Sequence, residues 1–385
     1  MNAPSVPGPD RCGSLTAPVG STAAAAGLTA PHDAQAVATV PGGSLIDAVL
    51  AAFQTHRVVA IGDAHACQEV HDLLLTMLSD PRLYGAASDI IVEFGNAFYQ
   101  DTLDKFVLAG EPVSDASLRR VWRDTTQSPN IVVDCPLYEQ VYRRVRAVNW
   151  TLPADRKIRV LAGDPPFDWS TVTHASQIPY PQRDPYPASL AGQSLASGRQ
   201  VLLIYGGMHL LHTPHGRTVT RLIEQETGVR AYVIVPLRPL ATDPGGVFPR
   251  LVACPRGTVI PVAGAWLGKV SAGDILPGAT RSVNGQAPEF VNPWCGMTFG
   301  QLADAGLYAG QAAELTASWP DPAIYLDPVY WAELKRRNAI QGNRAGPPLD
   351  TFREQRPPAY PLARGPETTG SNRHQSDNRN TRTDR

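Results

Sequence analysis

The chain has 385 residues, 43% of them hydrophobic, which is enough apolar mass to bury a core and excludes an intrinsically disordered polymer. Its 34 Lys plus Arg balance 35 Asp plus Glu, so there is no broad cationic field and nucleic acid is excluded as an expected partner. The five cysteines are odd in number, scattered and without a C-x-x-C pair, which argues against a disulfide framework or a cysteine zinc site.

Residues 1–42 are dominated by Ala, Pro, Gly, Ser and Thr and predict a disordered leader. Arg11 ahead of Ala-rich sequence is the alternative sign of a signal peptide, but Pro18, Gly20, Thr22 and Gly27 break the run. A cytoplasmic protein is therefore expected, with a secreted or periplasmic one as the second reading, and no run approaches the ~20 apolar residues of a membrane span.

From residue 43 onward, short apolar runs alternate with helical patterns. Val58–Ile61 is a buried strand. Val70, Leu73, Leu74, Met77 and Leu78 then recur at helical spacing until Ser79-Asp80-Pro81. Ile90–Val92 is a second strand, followed by helical patterns over 98–109, 115–123 and 136–150. Ile158–Leu161 and Val201–Tyr205 are the third and fourth strands. A helix over 217–227, closed by Gly228, leads to a fifth strand at Ala231–Val235. Such runs predict an α/β fold: a central, mostly parallel sheet with helices on both faces, spanning 43–240. Residues 241–341, punctuated by Pro and Gly, predict an irregular C-terminal extension packed on the core, with helices near 300–306 and 328–338. Residues 342–385 predict a disordered tail.

Ligands of open parallel sheets bind beyond the carboxyl ends of the strands. The residues there are Gly62-Asp63-Ala64-His65, Glu93, Asp164 and Gly206-Gly207-Met208-His209. Two G-x-x-H pieces and two carboxylates on one rim suit either a His general base oriented by a carboxylate or ligation of a divalent metal by His65, Glu93 and His209. Glu69, four residues after His65, shares its helical face and is expected to orient the imidazole; a first-turn Glu favoured by the helix dipole is the alternative. His71 is expected on the solvent side of that helix, and His212 and His215 fall in a loop. Cys67 is either an activated thiol or a small buried residue. Arg123 and Asp124 are candidates to hold a polar substrate, with Asp63 and Asp164. No G-x-S-x-G, H-E-x-x-H or G-x-G-x-x-G is present.

On Val59–His65, Ile91–Gly95 with Gln100, Leu103 and Ala109-Gly110-Glu111, and Ile204–His209, the chain resembles the erythromycin esterase-like, ChaN-like haem-binding and Tiki/TraB proteins. The resemblance covers about 45–235. It implies an α/β fold with a pocket of His65, Glu93 and His209. The esterase-like members imply water activation by a pair matching His65 and Glu69, the Tiki-like members metal-dependent peptide cleavage, and the ChaN-like members haem binding. Asp63 stands where a Glu is usual, and Met208 where a small or polar residue is usual.

Two functions are therefore expected in competition. One is a hydrolase in which His65, assisted by Glu69 or Glu93, activates water against an ester, lactone or peptide, with His209 stabilising charge or sharing Mn, Co or Zn. The other is a haem or planar-ligand binding protein without turnover. The expected partner is a small molecule or peptide.

Overall fold

The computed structural model describes residues 42–353 apart from 131–133, 215, 238–245, 277–278, 282–288, 292–293, 295, 319, 321 and 343–348. The expected leader 1–42 and tail 342–385 lie outside the described residues except at their inner edges.

The apolar runs form the strands expected of them because each is buried along its length. β1 (Gly43–Ser44) leads into α1 (Leu45–Phe53), whose N-cap Ser44 accepts the Asp47 N–H. β2 (Val58–Asp63) is followed by α2 (Gln68–Met77), and β3 (Asp89–Asn96) by α3 (Gln100–Asp104) and α4 (Asp115–Arg123). α5 (Leu137–Asn149), β4 (Arg159–Asp164), α6 (Pro185–Ala196) and β5 (Val201–Gly206) come next. α7 (Val219–Thr227) ends at Gly228 in the left-handed region, φ 73°, and β6 (Tyr232–Leu237) follows. The sequence pattern does not announce α1 or α6. The face that α6 buries is Pro187, Ala188, Ala191, Ser194 and Leu195, too small and mixed for a clear apolar stripe, and its prolines fall in the first turn, where a missing N–H costs nothing.

Among the described residues the central sheet has eight strands in the order β1-β7-β10-β6-β2-β5-β3-β4. The block from β10 to β4 is parallel. Side chains alternate between two covered faces. Val59, Ile61, Leu202 and Ile204 join the core beneath α1, α2 and α5, while Val58, Ala60, Val201 and Leu203 join the one beneath α6 and α7.

The C-terminal extension is part of this sheet rather than only packed on it. After α8 (Val247–Leu251), β7 (Thr258–Pro261) runs antiparallel to β1 and to β10 (Ala305–Tyr308), and β10 pairs parallel with β6. Between β7 and β10, β8 (Ala279–Arg281) and β9 (Glu289–Val291) pair with each other, and α9 (Phe299–Leu302) precedes β10. α10 (Pro328–Ile340) then returns to the far edge, where Arg337 donates to Asp124 and Arg336 to the carbonyls of Trp169 and Val172.

Tyr205, from β5, reaches across β3 to β4: a Cβ on Gly163 would lie 1.8 Å from its hydroxyl oxygen and 2.8 Å from the Val92 carbonyl oxygen. The Tyr205 hydroxyl is buried without a hydrogen-bond partner. Gly163→Ala should therefore destabilise the fold by about 1–3 kcal/mol in urea unfolding, and adding Tyr205→Phe should recover part of that loss. A Gly163→Ala protein as stable as the original would contradict this packing.

Candidate functional site

At the carboxyl ends of β2, β3, β5 and β6 the strands open onto a cavity of about 290 Å³, lined among others by Asp63, His65, Glu93, Gln127, Arg183 and His209. Three local features put His65 into it. β2 ends on Asp63, directly beside Gly206 of β5. The chain then turns sharply, with Ala66 in the left-handed region at φ 59°, a conformation that disfavours any side chain. A strap from the C-terminal extension clamps that turn: the Ser318 N–H donates to the Ala66 carbonyl and the Gln68 N–H to the Thr316 carbonyl.

His65 is held from its far side. Its Nδ1–H donates to Asp63 Oδ2 at 2.8 Å, which leaves Nε2 toward the cavity, 3.8 Å from Glu93 Oε2. The other Asp63 oxygen accepts Nε2–H of His71 at 2.8 Å, and the Tyr138 hydroxyl lies 3.4 Å from Oδ2. His71 is completely buried, not on the solvent side, because Asp63 offers the nearest partner for its polar edge. Its Nδ1 has no hydrogen-bond partner, a desolvation cost of about 1–3 kcal/mol retained beside the Asp63 carboxylate.

Glu93 is the meeting point. The regular pairing of β3 with β5 ends at Val92↔Ile204, and the ladder to β4 shifts register between Val92 and Asn96. Such irregularities re-aim side chains. Glu93 thereby reaches the Gly206 N–H, which donates to Oε2, while Gln127 donates to Oε1 at 2.8 Å and Arg183 at 2.6 Å. His209 Nε2 stands 3.5 Å from Oε1, and its Nδ1–H donates to Asp184 at 2.5 Å. Two Asp-oriented histidines thus face one buried carboxylate. Gly206 is required here, because a Cβ would come within 2.9 Å of Glu93 Oε2 and 3.0 Å of His65 Nε2.

The electrostatics follow from this geometry. Burial alone would lower the His65 pKa, but the Asp63 and Glu93 carboxylates outweigh it and raise it to about 9. Burial alone would raise Asp63 and Glu93, yet the surrounding cations and donors hold both below the usual carboxylate range. Asp164 differs: burial pushes it up to about 7 against two hydrogen bonds from Thr126.

The structure brings Asp63, His65, Glu93 and His209 together and places the other candidates elsewhere. Glu69 does not orient His65; it accepts the Thr316 N–H at 2.9 Å and hydroxyl at 2.7 Å, fastening the strap. Asp63 holds the imidazole instead, from two residues away. Arg123 stacks on Trp122 and Tyr330 and faces Asp134, and Asp124 pairs with Arg337 and Arg120, so both anchor α10 and neither lines the cavity. Asp164 sits beside the cavity, fixing the Thr126 turn. Burial drives the Cys67 thiol up to about 11, which makes it a packed residue and not an activated nucleophile. His212 pairs with Asp304, and His215 lies outside the described residues. Sequence reasoning missed Gln127, Arg183 and Asp184. The one signal was a charged pair, Arg183-Asp184, between Pro181 and Pro185 immediately before a helix.

Held by carboxylates at Nδ1, the two imidazoles turn Nε2 toward the cavity, as metal-bound histidines do toward their metal. The donor set nevertheless does not fit a divalent metal: both Glu93 oxygens already accept hydrogen bonds, and the Arg183 guanidinium occupies the position of a counter-cation. Among the described residues no three His, Cys, Asp or Glu side chains are arranged to hold a metal ion. Each Nε2 also faces the Glu93 carboxylate, at 3.8 Å for His65 and 3.5 Å for His209.

Because the His65 pKa lies above its ordinary 6.5, its attraction to the carboxylates adds stability that is complete below pH 6.5 and is lost as pH rises through about 9. Asp63→Asn removes the main attraction, so the His65 titration followed by NMR of the imidazole C–H should fall from about 9 by at least one unit. A titration still near 9 in the variant would contradict the assignment.

No protein-family model matches the chain, and no curated protein matches it. In structure it is similar to a protein from Bacillus cereus, with a TM-score of 0.46 and 10% identity over 72% of this chain and 94% of that one. It is also similar to the type III effector HopBA1, with a TM-score of 0.31 and 15% identity over 52% of this chain and 88% of that one. A third similarity is to ChaN of Campylobacter jejuni, described as binding haem cofacially, with a TM-score of 0.30 and 13% identity over 49% of this chain and 84% of that one.

Proposed function

We propose that the chain is a hydrolase that cleaves a small ester, lactone or peptide bond, with His65 moving the proton. One observation carries this reading: Asp63 fixes Nδ1 of His65, and the opposite nitrogen faces a cavity of about 290 Å³ that admits a small molecule. Neutral His65 takes a proton at Nε2 from water as the water oxygen adds to the carbonyl carbon. Collapse of the tetrahedral intermediate breaks the bond to the leaving oxygen or nitrogen, and the same proton passes to it. Acid and alcohol or amine result, with no change of oxidation state.

Each neighbour has a part in this step. Glu93, with both oxygens engaged and its pKa lowered, is a poor base; it acts as a fixed negative charge that stabilises the imidazolium formed midway. Arg183 lines the cavity and supplies donors to the developing oxyanion, with the His209 ring beside it. Val235, Pro236 and Leu276 provide an apolar wall.

The raised pKa sets the pH dependence. At neutral pH most of His65 is already protonated, so the reactive neutral fraction grows about tenfold per pH unit and levels off above about 9. The test is a screen of esters, lactones and peptides from pH 6 to 10. His65→Ala should lower kcat/KM by about 10²–10⁴ while leaving the fold intact. Turnover that is indifferent to His65→Ala, or that falls with rising pH between 7 and 9, would refute the mechanism.

A further inference from the structure

The proposed reaction leaves Met208 without a purpose. Its side chain is not hidden in the core; the residue is 43% exposed between Gly207 and His209. It belongs to the wall of two cavities. Beside the one that holds His65 lies a second, of about 460 Å³, and the two share Met208 and His209. The second cavity therefore adjoins the first at Met208 and His209.

Its chemistry differs from that of the first. Trp294 is buried and Met297 half-buried in its wall, giving an aromatic and polarisable surface. Arg217 is exposed on the opposite loop and forms no ion pair among the described residues. Asp184, the one carboxylate in the wall, is already bound to His209. The loop itself is anchored: the Thr218 hydroxyl donates to the Leu211 carbonyl at 3.0 Å and the Thr220 hydroxyl to the Leu210 carbonyl at 2.8 Å. An apolar wall ending at an uncommitted guanidinium matches a ligand that is flat and apolar along its length and anionic at its end.

We propose that this second cavity binds the remote half of the substrate: an aromatic arm laid against Trp294 and Met297 and ending in a carboxylate at Arg217, with Met208 as the adaptable partition between that arm and the scissile bond. The inference rests on the hydrolase reading for the position of the bond, but not for the arm's binding.

Two ester probes place a free carboxylate on a naphthalene arm on either side of the bond: 6-acetoxy-2-naphthoic acid and the monomethyl ester of naphthalene-2,6-dicarboxylic acid. Each is compared with the twin in which the free carboxylate is methylated. At least one free acid should exceed its twin tenfold or more in kcat/KM, and Arg217→Gln should bring that ratio close to one. Binding of 6-hydroxy-2-naphthoate, followed by its fluorescence, needs no turnover. Affinity that falls tenfold or more in Arg217→Gln supports the second site even where no ester is cleaved, a result that would count against the hydrolase reading alone. Equal binding by the two proteins, no binding, or turnover that ignores the free carboxylate in both pairs overturns the inference.

Discussion

A single buried negative charge organises the rim of this sheet. Glu93 is 3% exposed, and a carboxylate so placed would cost several kcal/mol if left without partners. It is kept ionised by the Gly206 N–H, the Gln127 amide and the Arg183 guanidinium, with His65 and His209 on either side. Those contacts tie β3 to β5 and to the segments ahead of α5 and α6. The same charge raises the proton affinity of His65, so the feature that closes the rim also sets the chemistry of the group in the cavity.

Asp63 plays the matching part beneath the cavity. Its two oxygens are divided between His65 and His71, so the imidazole that works in the cavity is positioned by one that never reaches it. The strap at 316–318 completes the frame from outside. Glu69 and the backbone of Ala66 and Gln68 hold that strap, and the left-handed Ala66 between them sets the direction in which His65 leaves the sheet. The extension after residue 241 thus contributes to the site by bracing it, as well as by adding β7 and β10 to the sheet.

The strands were legible because a parallel sheet covered on both faces requires continuous apolar runs, and the residues that follow those runs are the ones its topology gathers: Asp63, His65, Glu93 and His209. The contacts that decide their roles were not legible, since they join distant parts of the chain. Spacing alone points Glu69 at His65, but its partner Thr316 is 247 residues away. Helical spacing puts His71 on the solvent side because it carries no information about a carboxylate at the end of the preceding strand. Arg183 and Asp184 lie in a proline-rich stretch with no apolar period, where sequence pattern has nothing to report. Arg123 and Asp124 lie away from the His65 cavity because α10 returns to the sheet edge beside them, a contact that no local pattern announces.

The most direct measurement of this account is ¹⁵N NMR of imidazole-labelled protein at pH 7.5, comparing the unaltered chain with Glu93→Gln. The account predicts that His65 carries protons on both nitrogens in the unaltered chain, and that with the Glu93 charge removed a substantial fraction becomes neutral with its proton retained at Nδ1 toward Asp63. A His65 already neutral in the unaltered chain, or one whose protonation ignores the loss of Glu93, would contradict the central role given to that buried charge.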